Sequence, residues 1–125
     1  MGNEVFKGTS REDLAWAAGL FEGEGCFSTR HYSRDRSLLA KIKMSDEAVV
    51  SKFHKVIKVG NVTGPYLALK KKPVWIWQVG SFEGVQHTIS SLWNWLGTRR
   101  RTRAKELINL YHNRGANASK LREAI

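Results

Sequence analysis

The chain has 125 residues, with 21 Lys and Arg against 11 Asp and Glu and a net charge of +10. This length fits one domain, and an apolar share of 42% with five Trp excludes a disordered chain. The single cysteine, Cys26, excludes a disulfide framework and a cysteine-based zinc site. Without a membrane-spanning run or a signal-peptide pattern, we expect a soluble, intracellular protein with no membrane partner. The positive charge favours nucleic acid as partner; a basic structural protein or one bound to acidic lipid is the alternative.

The first predicted elements are a helix and a hairpin. Residues Ser10–Asp13 form a capping box, so we predict a helix from there to about residues 22–24. Alternating apolar and polar residues then predict two strands, Cys26–Tyr32 and Leu38–Met44, joined by a polar turn over residues 33–36.

A second helix and a second hairpin follow in the same order. Either Ser45 or Asp46 caps the helix, and Gly60 ends it. Apolar residues at helical spacing predict its buried face: Val49, Val50, Phe53, Val56 and Ile57. The strands 61–69 and 74–80 are predicted to turn through residues 70–73.

Two further helices complete the predicted fold. Apolar spacing marks one helix from Phe82 to Leu96, which Gly97 breaks, and another around Ala104–Tyr111. The segment from Asn113 is polar and is predicted to be a partly disordered tail, so we assign residues 1–112 to one domain and 113–125 to the tail. Helices on one face of an antiparallel four-stranded sheet make this an α+β fold with the element order αββαββα(α).

The face of the sheet that the helices leave open is predicted to carry basic residues. In the strand 38–44 the even residues fit the core, which turns Leu39, Lys41 and Lys43 outward. A two-stranded ribbon fits the major groove, where Lys and Arg read guanine and Gln reads adenine. For any single lysine, an ordinary solvated face that blocks edge pairing is the alternative. The candidate DNA-binding residues are Arg30, Tyr32, Arg34, Arg36, Lys41, Lys43, Lys70, Lys71, Lys72 and Gln78.

Small residues line one side of the first predicted helix. Ala15, Gly19 and Gly23 lie four residues apart, on a stripe with almost no side chain. Glycine costs about 1 kcal/mol relative to alanine inside a helix, so we expect a close backbone contact as compensation. The contacting helix is either a copy of the same helix in a second chain or another helix of this chain.

Two carboxylates, Glu22 and Glu24, stand at the end of this helix. The helix dipole favours cations there, so these acids indicate a metal site. They lie about 200° apart around a helix and cannot converge on one ion. A site with two carboxylates therefore needs a second copy of the chain, which would bring both Glu24 side chains together. Carboxylate and carbonyl oxygens suit Mg²⁺, which in such sites hydrolyses phosphodiesters.

The segment Ala17–Gly25 resembles the signature motif of the LAGLIDADG homing endonucleases. The predicted element order and the basic segment Leu92–Leu107 are also similar to that family, and the resemblance covers about residues 10–112. It implies a site-specific double-strand DNA endonuclease that uses Mg²⁺ or Mn²⁺, with Ca²⁺ as a non-catalytic substitute. One motif in the chain implies a homodimer and a palindromic or nearly palindromic target.

The resemblance also implies roles for the residues of the motif. Glu24 falls on the acid that binds the metal and is essential for cleavage, and here it replaces Asp. Gly23 falls on the residue whose carbonyl helps to bind the metal, and Glu22 falls on an acid that supports the helix junction. The implied dimer interface comprises Ala15, Gly19, Glu22 and Gly23.

Further implied positions lie outside the motif. The basic residue near the scissile phosphate falls on Arg99 or Arg100, where the family usually has Lys. Arg cannot act as a base, although it stabilises phosphate charge; the alternative is a basic helix start that only contacts backbone phosphates. Ser45 or Asp46 matches a water-positioning residue. A regulator or intron maturase of the same fold, which binds DNA or RNA without cleavage, is the alternative function.

Overall fold

The computed structural model describes the backbone of residues 9–32 and 35–124 and the side chains of residues 9–29 and 37–113. Its elements follow the predicted order. They are α1 (Arg11–Glu24), β1 (Gly25–Tyr32), β2 (Asp35–Met44), α2 (Glu47–Ile57), β3 (Asn61–Tyr66), β4 (Val74–Val79), α3 (Phe82–Leu92), a 3₁₀ turn (Trp93–Trp95) and α4 (Thr98–Ala124).

The strands form one antiparallel sheet in the order β1-β2-β4-β3, which confirms the predicted α+β class. Residues Leu38, Ala40 and Ile42 of β2 are buried in the same cluster as residues from all four helices. Since alternate residues of a strand point to opposite faces, the helices cover one face of the sheet and leave the other open. None of the described helices combines the length and apolarity needed to cross a bilayer.

Aromatic residues form the centre of this core. The Phe53 ring lies 6.3 Å from the Phe21 ring and 4.7 Å from the Trp77 ring, so it joins α1, α2 and β4. All three side chains are fully buried, and burial of each contributes about 1.5–3 kcal/mol. The indole N–H of Trp77 donates to the Val59 carbonyl at 2.8 Å, so its burial leaves no polar group unpaired.

Side-chain caps start three of the helices. The Ser10 hydroxyl accepts from the Asp13 N–H at 3.0 Å, as the predicted capping box requires. The Asp46 carboxylate accepts from the Val49 N–H at 3.2 Å, so Asp46 rather than its neighbour caps α2. The Ser81 hydroxyl caps α3 through a 3.0 Å bond from the following turn. Each such cap contributes about 1 kcal/mol.

The hairpins differ from their predicted bounds. β2 begins at Asp35, so Arg36 belongs to the strand rather than to the turn. β3 ends at Tyr66 rather than at residue 69, and its pairing with β4 shifts between Thr63 and Tyr66. Pro65, inside this shift, has no N–H to donate to a ladder, so regular pairing cannot continue through it.

Three helix ends also differ. α2 ends at Ile57, because Lys58 adopts a left-handed conformation with φ 70° and its N–H bonds to the His54 carbonyl. α3 ends at Leu92, and Leu96 is buried beyond the 3₁₀ turn. α4 continues to Ala124 instead of giving way to a tail near residue 113, because Ala, Lys, Leu, Arg and Glu after residue 115 are good helix formers. The domain boundary at residue 112 stays a prediction.

Candidate active site and nucleic-acid interface

The last turn of α1 ends in an unpaired carboxylate. Glu24 is the final residue of the helix and is exposed, and the last turn contains no basic residue. Among the residues that the structure describes, no hydrogen bond or ion pair engages its side chain. The negative end of the helix dipole disfavours an acid here by about 0.3–1 kcal/mol. A cation bound at this end would remove that cost.

Glu22, two residues earlier, has a partner within its own chain. Its Oε1 accepts a 2.6 Å hydrogen bond from the Gly97 N–H, and the Gly97 carbonyl accepts from the Arg101 N–H at the start of α4. The carboxylate thus lies at the positive end of α4, where the dipole favours it. This contact connects the end of α1 to the start of α4. A place for Glu22 in a dimer interface stays a prediction.

The two candidate basic residues, Arg99 and Arg100, differ in their surroundings. The Nη2 of Arg100 donates to the Glu22 carbonyl at 3.1 Å, and its Cζ lies 5.8 Å from the Phe21 ring centroid. Its Nε is buried and has no partner in the described part of the chain. Arg99 is exposed, and no described residue bonds to its guanidinium. Arg100 is therefore engaged by the end of α1, whereas Arg99 is free to contact a phosphate.

The donor atoms at this helix end have the chemistry that Mg²⁺ requires. They are the Glu24 carboxylate and the Gly23 carbonyl, which has no intrahelical partner because the helix ends one residue later. Both are hard oxygens. Among the described residues, no three His, Cys, Asp or Glu side chains cluster as a metal site. Glu24 and Gly23 can therefore supply part of the oxygen ligands of a Mg²⁺ site, and further oxygen ligands are needed to complete it.

The small-residue stripe of α1 faces open space. Gly19 and Gly23 are exposed, and apart from the helix's own backbone no described atom lies within 4 Å of where a Cβ would stand on either. Within the described residues, no helix of this chain packs against these two glycines. This observation favours a second copy of the chain as the contacting partner. Ala15, on the same stripe, is half-buried.

The open face of the sheet carries three of the predicted DNA-binding residues. Lys41 of β2 pairs with Gln78 of β4, and Lys43 also lies on β2. Their strand neighbours Ile42 and Trp77 are fully buried, so all three side chains share the outer face. Leu39 also points to this face but is only 8% exposed and does not belong to the main core. β2 is a central strand, so neighbours on both sides cover it.

The remaining predicted contacts belong to the β3–β4 loop and to residues 30–36 of the chain. The three lysines of the β3–β4 loop are exposed. This loop leads into β4 beside the Met44–Trp75 pair, and it therefore lies at the same end of the sheet as the start of β1. The side chains of Arg30, Tyr32 and Arg36 lie outside the described residues, although their backbones belong to β1 and β2; Arg34 lies outside them entirely. The loop lysines are Lys70, Lys71 and Lys72.

The water-positioning role of Ser45 or Asp46 stays a prediction. The Asp46 carboxylate is engaged as the cap of α2, and Ser45 is exposed beside it, so neither is held against Glu24 by a described contact. In the same basic segment, the Arg101 guanidinium donates twice to the Trp93 carbonyl, at 3.0 and 2.8 Å. Sequence reasoning missed Asn61, which lies directly opposite Gln78. Val62 packs against the core, and successive strand residues point to opposite faces, so this alternation could have placed Asn61 on the outer face.

Neither protein-family models nor curated proteins give a sequence match. Solved structures do match in fold. I-CvuI, in complex with its target in the presence of 2 mM Ca, superposes with a TM-score of 0.71 at 19% identity, over 92% of this chain and 78% of that one. The group I intron-encoded homing endonuclease I-CeuI, complexed with DNA, superposes with a TM-score of 0.67 at 12% sequence identity. The match covers 94% of this chain and 64% of I-CeuI. The LAGLIDADG meganuclease I-AabMI, bound to uncleaved DNA, superposes with a TM-score of 0.65 at 19% sequence identity. The match covers 88% of this chain and 40% of I-AabMI. The chain therefore has the fold of the LAGLIDADG homing endonucleases.

Proposed function

We propose that this protein is a homodimeric, divalent-metal-dependent endonuclease that cuts double-stranded DNA at a specific, palindromic or nearly palindromic site. One observation carries the proposal: α1 exposes Gly19 and Gly23 and ends in the Glu24 carboxylate, which has no partner among the described residues. The fold and the basic outer face of the sheet support it.

Dimerisation follows from the open stripe. Gly19, in the interior of α1, costs about 1 kcal/mol relative to alanine, and no contact among the described residues of the protomer compensates for this. A second copy of α1 packed on Gly19 and Gly23 would do so, since small residues let two helices approach closely. The pairing would also bring two Glu24 carboxylates together and add oxygen ligands that the described residues of one chain do not supply.

In the proposed reaction, the outer face of the sheet holds the DNA through Lys41, Lys43 and the loop lysines. Glu24 and the Gly23 carbonyl would hold Mg²⁺, which activates water and stabilises the leaving oxygen when bound. Arg99, exposed at the start of α4, stabilises the negative charge that develops on the phosphate. Water adds to the phosphorus of each strand and one ester bond breaks, leaving a phosphate monoester and a hydroxyl.

A cleavage assay tests this proposal. The protein is incubated with Mg²⁺ and a plasmid library that carries randomised or host-genomic inserts, beside the variants Glu24→Gln and Glu12→Gln. Glu12 is an exposed acid in the first turn of the same helix, so it controls for charge and helix content. Linear product from the wild type and Glu12→Gln, but not from Glu24→Gln, is expected. Equal cutting by Glu24→Gln would refute the assignment.

A DNA- or RNA-binding protein of the same fold that does not cleave is the second candidate. The observation in its favour is that Arg occupies the positions where the family usually has Lys, and that Arg100 is bonded to the Glu22 carbonyl. This candidate predicts sequence-selective binding with no product in the same assay at any Mg²⁺ concentration.

A further inference from the structure

Four side chains form one row across the outer face of the sheet. Cys26 lies opposite Lys41, Lys41 opposite Gln78, and Gln78 opposite Asn61. At about 4.8 Å between strands, the row spans about 14 Å. The major groove of B-DNA is about 12 Å wide, so the central pair, Lys41 and Gln78, would face its floor. Asn61 stands beside Gln78 with the Cβ atoms about 5 Å apart.

Both amides of this row are free. Gln78 is half-buried and Asn61 is exposed, and neither side chain hydrogen-bonds to any residue that the structure describes. A polar cleft of about 480 Å³ adjoins them, lined also by Gly60, Gly80 and Ser81. Gly60 is required there, because a Cβ would lie 2.6 Å from the Gln78 carbonyl. The backbone of Gly60 thus packs closely against the backbone of Gln78. The side-chain amides of Gln78 and Asn61 have no partner in the described part of the protomer.

The hydrogen-bonding groups in the row select different bases. A carboxamide both donates and accepts, which matches the N6 amino group and N7 of adenine, whereas an ammonium only donates, which matches O6 and N7 of guanine. We propose that Gln78 and Asn61 each read one of two adjacent adenines in each half-site, and that Lys41 reads the guanine next to them. This inference rests on the proposed DNA-binding function but not on cleavage.

The test is a binding selection from randomised double-stranded DNA with Ca²⁺ in place of Mg²⁺, followed by sequencing of the bound pool. The wild type is expected to enrich adenine beside guanine. Gln78→Ala reduces the preference at one position by about five- to 150-fold, and Gln78→Lys changes it from adenine to guanine. Asn61→Ala relaxes the adjacent position. Gln86→Ala, an exposed amide on α3, is the matched control and leaves the profile unchanged.

Three results would overturn the inference. They are a wild-type pool without sequence preference, an unchanged profile for Gln78→Ala with uniformly weaker binding, and a Gln78→Lys profile that keeps adenine. A selective pool from a protein that never cuts DNA supports the base assignment and refutes only the nuclease. Failure of the two proposals is therefore distinguishable.

Discussion

Substitution of Gly19 should change the stability of the protomer and of the dimer in opposite directions. A methyl group at this position meets no described atom within 4 Å in the protomer, so Gly19→Ala adds helix propensity without a clash. The gain is about 1 kcal/mol in the free energy of unfolding of the protomer. For a domain of this size that corresponds to a rise in Tm of about 4 °C.

The same methyl group should weaken a dimer that packs through this stripe. Each dimer receives two added groups at a seam that small residues keep close, so the helices must separate and lose dispersion contacts along the length of α1. Gly19→Leu separates them further, and we expect a monomer that no longer cuts DNA. The core is spared, because Gly19 is exposed on the side of α1 away from the buried Ala18 and Phe21.

Sedimentation velocity over a dilution series gives the dimer dissociation constant, and unfolding in urea at concentrations where the protein is monomeric gives protomer stability. Ala48→Leu adds similar apolar surface on the exposed side of α2 and controls for non-specific effects. A fully active, dimeric Gly19→Leu protein would refute the seam. A loss of protomer stability in Gly19→Ala would show instead that the stripe packs inside its own chain.

Three further predictions follow from described contacts. Phe53→Ala should remove about 3–5 kcal/mol of unfolding free energy, measured in urea, because this ring joins Phe21 to Trp77. Asp46→Ala should cost about 1 kcal/mol in the same measurement, whereas Asp46→Asn keeps the cap; a cleavage defect in Asp46→Asn at wild-type stability would instead show a role in positioning water. Arg100→Met should lower Tm, because it removes a hydrogen bond to α1, whereas Arg99→Met should slow cleavage at unchanged Tm; the reverse pattern would exchange their roles.

Local patterns determined the order and type of the elements. Caps such as Ser10 and apolar spacing such as that of Val50 and Phe53 depend on neighbours within one or two turns, so a single sequence contains them. The nine-residue motif likewise placed Glu24 at the end of a helix, where α1 indeed ends. Element ends were less well predicted, because the end of β3 depends on its register with β4.

Only the tertiary structure separated residues that the sequence left equivalent. Arg99 and Arg100 are adjacent and identical, and their surroundings differ because α1 ends beside Arg100. The stripe through Gly19 became informative once the fold left it uncovered, and Asn61 became a candidate once β3 paired with β4. Each distinction depends on which distant segment lies nearby. Periodicity and propensity are local properties, whereas a binding site is formed by side chains that folding brings together from across the chain.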